Sequence, residues 1–457
     1  PPPALPNACQ PPPPHPPSTT QRTVKPPRPP SPSPPSSSTA LRQQIAAAKA
    51  AARRAAPPIP PSDPLPPSPP SALHARIRAS YTSGKLDIAA LRLPALPDEV
   101  ARMYDAAALA LARVPWSEVL DLTRVAAGGN EIAQLAGGCF PDEEEEGGEG
   151  VFAALQALDL HGNQLRGVPR GLARLARLST LDLSRNALDA AALHVIFAIP
   201  SLTHLNLASN ALAGDLPPSL HHLSALRTLD LHHNSLTSLP ASIAALRHLQ
   251  VLNLASNQLR ALPLHALQAL PLRVLDASAN ALTGTLFADA TGHPTLQTLR
   301  VAHNALHALA PHTLDTPRLH TLDVTHNRLA ALPCLARAPL LTTLTAAANN
   351  LSALPPTLPD LPRLRNLNLE ANALRLLPAR LALMPALEAL RLAGNPLRDR
   401  KFLTMSADHI KRDLAARLPA EPPDAETPPD AAWTLAPNAT LDLTAQRLPP
   451  TALAAFL

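Results

Sequence analysis

The chain has 457 residues, a formal net charge of +5 and 57 prolines, 26 of them within the first 70 residues. Hydrophobic residues make up 46% but aromatics only 2%, so the apolar material is nearly all leucine and alanine, and a core of that kind calls for many small repeated units. Cys9, Cys139 and Cys334 are too few and too scattered for a disulfide framework, so a reducing, cytoplasmic setting is expected, and no apolar run nears the roughly 18 residues of a membrane span.

Residues 1–72 read as a disordered, basic tail rich in Pro, Ser and Ala. Arg22, Lys25, Arg28, Arg42, Lys49, Arg53 and Arg54 all precede the first acid, Asp63. Such a tail usually stays solvated, and nucleic acid is expected to meet it only through non-specific contacts. Within it, Leu41 to Arg54 is alanine-rich with high helix propensity but a thin apolar stripe. Pro26, Pro29 and Pro32 have the spacing of a groove ligand, without a basic residue where either orientation would need it.

From residue 73 to 418 the sequence repeats. Asn130, Asn163, Asn186, Asn210, Asn234, Asn257, Asn280, Asn304, Asn327, Asn349, Asn372 and Asn395 recur at 22–24 residues after one interval of 33. Each closes a unit of the form Leu-x-x-Leu-x-Leu-x-x-Asn-x-Leu, as in Leu155 to Leu165. The alternating leucines predict one short parallel strand per unit, and the fixed period predicts a right-handed α/β solenoid. Its concave sheet is expected to run about 55–60 Å along the inner arc, with short helical or irregular segments on the convex side. The asparagine is expected to be buried where the strand ends, bonding backbone groups of its own turn and the next. Gly84 to Pro97 is a degenerate opening half-repeat, in which Leu86 and Ile88 point inward.

The 33-residue interval contains Pro141-Asp-Glu-Glu-Glu-Glu-Gly-Gly-Glu149, whose removal restores the period, so it is an inserted acidic loop. Many units continue Leu-Pro-x-x-Leu/Ile, as at Leu239-Pro240, where proline suits the start of the outer helical turn. Ser406 is placed to cap a closing helix with Ile410, Leu414 and Leu418 on one face. Residues 419–432 read as a linker, and 433–457 as the opening of a truncated second array, because Thr440 to Pro450 repeats the pattern of the first half-repeat.

These motifs resemble the intracellular leucine-rich repeat proteins from Leu86 to Leu397. The opening stretch Thr82 to Tyr104 and the closing stretch Gly394 to Ser406 are similar to the group of leucine-rich repeat-containing protein 40 and its relatives, as is the two-array layout. That resemblance implies a soluble, non-enzymatic scaffold or adaptor and brings no catalytic residue with it. The acidic insertion and the proline-rich tail depart from it.

No phosphate-binding glycine loop and no zinc spacing is present, so no cofactor or metal is assigned. His233, His303 and His326 share one register, with His232 beside the first, and are read as polar surface. The site expectation rests on the position just before each unit's last strand leucine. There Asp159, Asp182, Asn206, Asp230, Asp276, Arg300 and Asp323 form a stripe on the concave face, with Arg227 and Arg273 a few residues away. The expected function is a protein-interaction scaffold whose partner docks on this face. The alternative is the regulatory region of a larger signalling enzyme whose catalytic domain lies beyond residue 457.

Overall fold

The computed structural model describes residues 72–135, 139–140, 151–288 and 292–418. The tail through residue 71, the acidic insertion at 141–149, the linker at 419–432 and the second array expected at 433–457 lie outside them. Helices are α1 (Ala72–Ser83), α2 (Asp98–Ala101), α3 (Ala106–Ala112), α4 (Ala190–Ile196), α5 (Leu264–Gln268) and α6 (Ala407–Ala415).

Each unit turns its x-Leu-x triplet into a three-residue strand. The first are β1 (Lys85–Asp87), β2 (Arg124–Ala126), β3 (Ala157–Asp159), β4 (Thr180–Asp182) and β5 (His204–Asn206). After the short β6 (Ala213–Asp215) come β7 (Thr228–Asp230), β8 (Ser235–Ser238), β9 (Val251–Asn253), β10 (Val274–Asp276) and β11 (Thr283–Thr285). The last are β12 (Thr298–Arg300), β13 (Ala305–Ala308), β14 (Thr321–Asp323), β15 (Thr343–Thr345), β16 (Asn366–Asn368) and β17 (Ala389–Arg391). All but β6, β8, β11 and β13 join one 13-stranded sheet in chain order, parallel throughout. Twelve intervals of ~4.8 Å make the inner arc about 58 Å long. The opening half-repeat supplies the thirteenth strand, since Leu86 of β1 pairs in register with Val125 of β2. In every strand of this sheet the middle side chain is buried, as Leu158, Leu252 and Leu344 are.

The ladder asparagines hold consecutive turns together. Asn257 accepts the Leu236 N–H on Oδ1 at 3.0 Å and donates from Nδ2 to the carbonyls of Leu231 and Leu254 at 2.9 and 3.0 Å. Asn395 repeats the set with Leu374, Leu369 and Leu392. Leu231 and Leu236 belong to the unit before Asn257, so each asparagine ties its own turn to the preceding one rather than to the next. Its short amide reaches back because the strand end of the earlier unit lies directly beside it. The residue just before each ladder asparagine has φ between 51° and 75° in all twelve units, glycine at only Gly129, Gly162 and Gly394.

Proline opens the outer turns as expected. Pro169, Pro217, Pro240 and Pro378 stand at the N-caps of short 3-10 helices with φ between −73° and −62°. Two extra parallel pairs, β6 with β8 and β11 with β13, form next to Gly214 and Gly284.

The ends of the sheet are covered. At the start, α1 buries Ile77 and Tyr81 against the core, an element that carries no repeat signature. Between β1 and β2 the hydroxyl of Tyr104 accepts from the Leu122 N–H at 2.8 Å and donates to the Leu120 carbonyl at 3.2 Å. At the far end α6 buries Ile410 and Leu414, but Leu418 lies beyond the helix and is only half-buried. Ser406 occupies the N-cap, yet its hydroxyl bonds the His409 ring at 2.7 Å instead of a helix N–H, because a histidine stands one turn along within its reach. Around the 33-residue interval the buried rings of Phe140 and Phe152 meet with centroids 5.2 Å apart, closing the core on both sides of the insertion.

Candidate functional site

Strand register decides which side chains share a row on the open face of the sheet. Because neighbours pair without slippage, Asp159, Asp182, Asn206, Asp230, Asn253, Asp276, Arg300, Asp323, Thr345, Asn368 and Arg391 stand in one column. The structure therefore brings together the seven column residues expected from sequence. Arg227 stands apart, in a second column three residues toward the strand's start. Backbone N–H to carbonyl bonds chain that column from Thr203 to Arg227, Gln250, Arg273, Gln297, His320, Thr342 and Arg365. At ~3.3 Å per residue the two columns run about 10 Å apart. Between them runs a row rich in threonine, including Thr228, Thr298, Thr321 and Thr343.

The column of Asp and Asn has a structural task that the sequence pattern conceals. One side-chain oxygen of each caps the backbone N–H two residues on, where the chain leaves the strand. Asp159 bonds the His161 N–H at 3.0 Å, Asp230 that of His232 at 3.1 Å, and Asn253 that of Ala255 at 3.2 Å. Asp182, Asn206, Asp276, Asp323 and Asn368 do the same. Aspartate and asparagine are interchangeable in this Asx geometry. The negative charge of the aspartates is thus surplus to the turn. Its second oxygen has varied company: Asp182 Oδ2 accepts from Asn206 Nδ2 at 3.0 Å, and Asp276 Oδ2 lies 3.7 Å from Arg300 Nη1. His161 and His232 fold their Nδ1 atoms back onto Asp159 and Asp230 at 2.7 and 2.6 Å.

Taken across both columns, charge alternates from β4 to β10, where Asp182, Asp230 and Asp276 are separated by the neutral units of β5 and β9; beyond that stretch Asp159 on β3 and Arg300 on β12 put charge on neighbouring strands. Arg227 with Asp230, Arg273 with Asp276 and His320 with Asp323 occupy alternate units. The units between carry Thr203 with Asn206, and Gln250 with Asn253, so the rungs flanking Asp230 are neutral. From β4 to β10 the charged rungs recur every second strand, about 9.6 Å apart. The sequence carries this signal, but it emerges only when residues are aligned by strand register. Arg227 and Arg273 are exposed, and no ion pair is formed by either among the described residues.

Elsewhere the chemistry is sparse. The rings of His303 and His326 stack with centroids 4.3 Å apart and planes 17° apart, both exposed. Parallel rings do not converge their lone pairs on one point, and among the described residues no three His, Cys, Asp or Glu side chains cluster as metal ligands. No helix of the described residues is long and apolar enough to cross a membrane.

Comparisons with known proteins agree with this geometry. A leucine-rich repeat family model matches residues 153–212 and 224–282, and a two-copy leucine-rich repeat model matches residues 200–244. Podocan-like protein 1 of Mus musculus is 45% identical over 89 residues, 19% of this chain and 16% of that protein. The human CD180 antigen is 40% identical over 86 residues, 19% of this chain and 13% of the antigen. The chain thus spans about one-sixth or less of the length of these curated relatives. Among solved structures, a leucine-rich repeat protein of Leptospira interrogans superposes with a TM-score of 0.55 at 22% identity, covering 77% of this chain and 99% of its own. The ectodomain of the Arabidopsis thaliana receptor kinase GASSHO1/SCHENGEN3, in complex with CASPARIAN STRIP INTEGRITY FACTOR 2, gives 0.53 at 24%, covering 69% and 36%. The chain folds as a leucine-rich repeat solenoid, the class its asparagine ladder defines.

Proposed function

We propose that this chain is a non-enzymatic interaction scaffold or adaptor that takes a protein partner on the concave face of its solenoid. Leucine-rich repeat domains mediate protein–protein interaction, and one observation carries the reading to this face. The turn-capping oxygens need only Asp or Asn, yet Asp182, Asp230 and Asp276 stand at every second rung as charges, with Arg227 and Arg273 exposed opposite the last two. Rows of opposite sign on an open sheet favour a partner with complementary charge and fix its register. Among the described residues the strands carry no Phe, Tyr or Trp, the aromatic anchors that dominate tight interfaces, so a charge-guided association of modest affinity fits best.

The free thiols of Cys139 and Cys334 support a reducing, cytoplasmic location. We also propose kinship with the group of leucine-rich repeat-containing protein 40, a reading supported by the sequence resemblance of Thr82 to Tyr104 and of Gly394 to Ser406.

Affinity capture with the full chain tests the reading. Partners identified by mass spectrometry should be retained by Arg380→Ala, on an outer turn, and lost with Arg227→Glu/Arg273→Glu. Equal capture by both variants would remove the concave face from the account.

A further inference from the structure

Strand β11, on the outer course of its unit, has a pairing partner on one side only. The Leu282 carbonyl accepts the Ala305 N–H at 2.9 Å, Leu286 donates to the Ala308 carbonyl at 3.1 Å, and Gly284 pairs with Leu306 between them. Backbone groups of successive strand residues face opposite sides, so Thr283 and Thr285 turn their N–H and C=O groups away from β13. Among the described residues nothing bonds those four groups. The segment on that side, Arg260 to Pro263, forms no strand, although Ala281 still donates to the Leu259 carbonyl at 3.0 Å just before the two courses part.

Where they part, a cleft of about 340 Å³ opens between the stretch from Arg260 to His265 and β11, a size that suits a ligand. Leu262 and Leu264, half-buried, and Leu282 and Leu286, buried, give it an apolar floor. Arg260 and His265 are exposed beside it, and no Asp or Glu stands among its described lining residues. Arg260 forms no ion pair among the described residues. A helix cannot use such an edge, because its own backbone groups are bonded internally. An extended chain can, with alternate side chains turned to the floor and outward. The matching strand β6 differs at one place: Asp215 stands where β11 has Thr285, and a charge on an edge deters strand addition.

We infer that an extended peptide segment of a partner protein adds to the free edge of β11, with apolar side chains on Leu262, Leu264 and Leu286 and an intervening carboxylate at Arg260. Main-chain bonds to Thr283 and Thr285 supply the attraction, and the single cation selects acidic sequences over basic ones. This site is separate from the concave columns and goes beyond the function proposed for them.

The test titrates the pentapeptide acetyl-Val-Glu-Val-Glu-Val-amide into the full chain, labelled at threonine with nitrogen-15 and read by NMR. In the free chain the Thr283 and Thr285 amides, assigned from Thr283→Ser and Thr285→Ser, should exchange with solvent almost without protection. Saturating peptide should slow both at least tenfold. The lysine analogue, acetyl-Val-Lys-Val-Lys-Val-amide, should bind at least tenfold more weakly, and Arg260→Glu should reverse that order with the melting temperature unchanged. The fully N-methylated glutamate peptide has no N–H to donate and should protect neither amide. Arg227→Glu/Arg273→Glu should leave the peptide affinity unaltered, which separates this site from the concave face. Strong protection of Thr283 and Thr285 in the free chain, no saturable slowing by the peptide, or equal binding of its N-methylated form would overturn the inference. So would an unchanged preference in Arg260→Glu, or loss of the peptide in the concave-face variant.

Discussion

Oδ1 of Asp230 accepts the backbone N–H of His232 at 3.1 Å, and its neighbour Asn253 makes the matching bond to Ala255 at 3.2 Å. Charge and turn capping are separable at this position. Asp230→Asn should leave stability within ~0.5 kcal/mol, while Asp230→Ala, which frees the N–H, should cost about 1 kcal/mol. Urea unfolding of the two variants checks this, and equal losses would show that the cap contributes nothing.

The ladder is the costlier bond set. Asn257 is 8% exposed and satisfies the Leu236 N–H together with the Leu231 and Leu254 carbonyls. Asn257→Ala strands these groups away from water and should cost about 2–4 kcal/mol. Because neighbouring turns are held by nearest-neighbour bonds, hydrogen exchange should quicken first in the units around residues 231–257. Gln258→Ala, at the exposed position alongside, should stay within ~0.5 kcal/mol.

Backbone strain accumulates just before the ladder. Ala348 has φ of 51°, a left-handed conformation that an L-residue adopts only at a cost. Ala348→Gly should raise stability by roughly 0.5 kcal/mol, the strain relieved exceeding the added entropy of the unfolded chain, and Ala348→Val should lower it by more than ~1 kcal/mol. Melting temperatures in opposite directions would confirm the pair.

Acid should weaken the middle of the array. His293 is 2% exposed; burial pushes its pKa down, partly offset by the Leu267 carbonyl 3.0 Å from Nε2. Above the unfolded value near 6.5 both states are neutral there, so this group makes no pH-dependent contribution. As pH falls through ~6.5 the unfolded chain takes up the proton first, and stability declines until the folded pKa is reached. His293→Gln should flatten the stability slope between about pH 7 and 5, whereas an unchanged slope would place the titration elsewhere.

The fold was legible because each unit's Leu-x-Leu and Asn answer to one local demand, repeated often enough to stand out. The column of Asp159 to Asp323 was legible too, since strand spacing alone puts those residues in line. Their turn caps were not, because the partner is a backbone N–H that any residue supplies. The left-handed position escaped notice since Arg185, His233 and Ala279 carry no glycine signal. Helix α1 and the Phe140–Phe152 contact belong to the ends and the interruption of the repeat, where periodicity has nothing to say. The alternation of charged rungs becomes visible only after the strands are set side by side.

That alternation is the centre of the functional account, and the affinity of a captured partner tests it most directly. Titration calorimetry should compare the full chain with Asp182→Asn/Asp230→Asn/Asp276→Asn, whose turn caps are preserved. A loss of about tenfold or more, near 1.4 kcal/mol, is predicted, with the melting temperature unchanged. An unaltered affinity in that folded variant would contradict recognition by the carboxylate row.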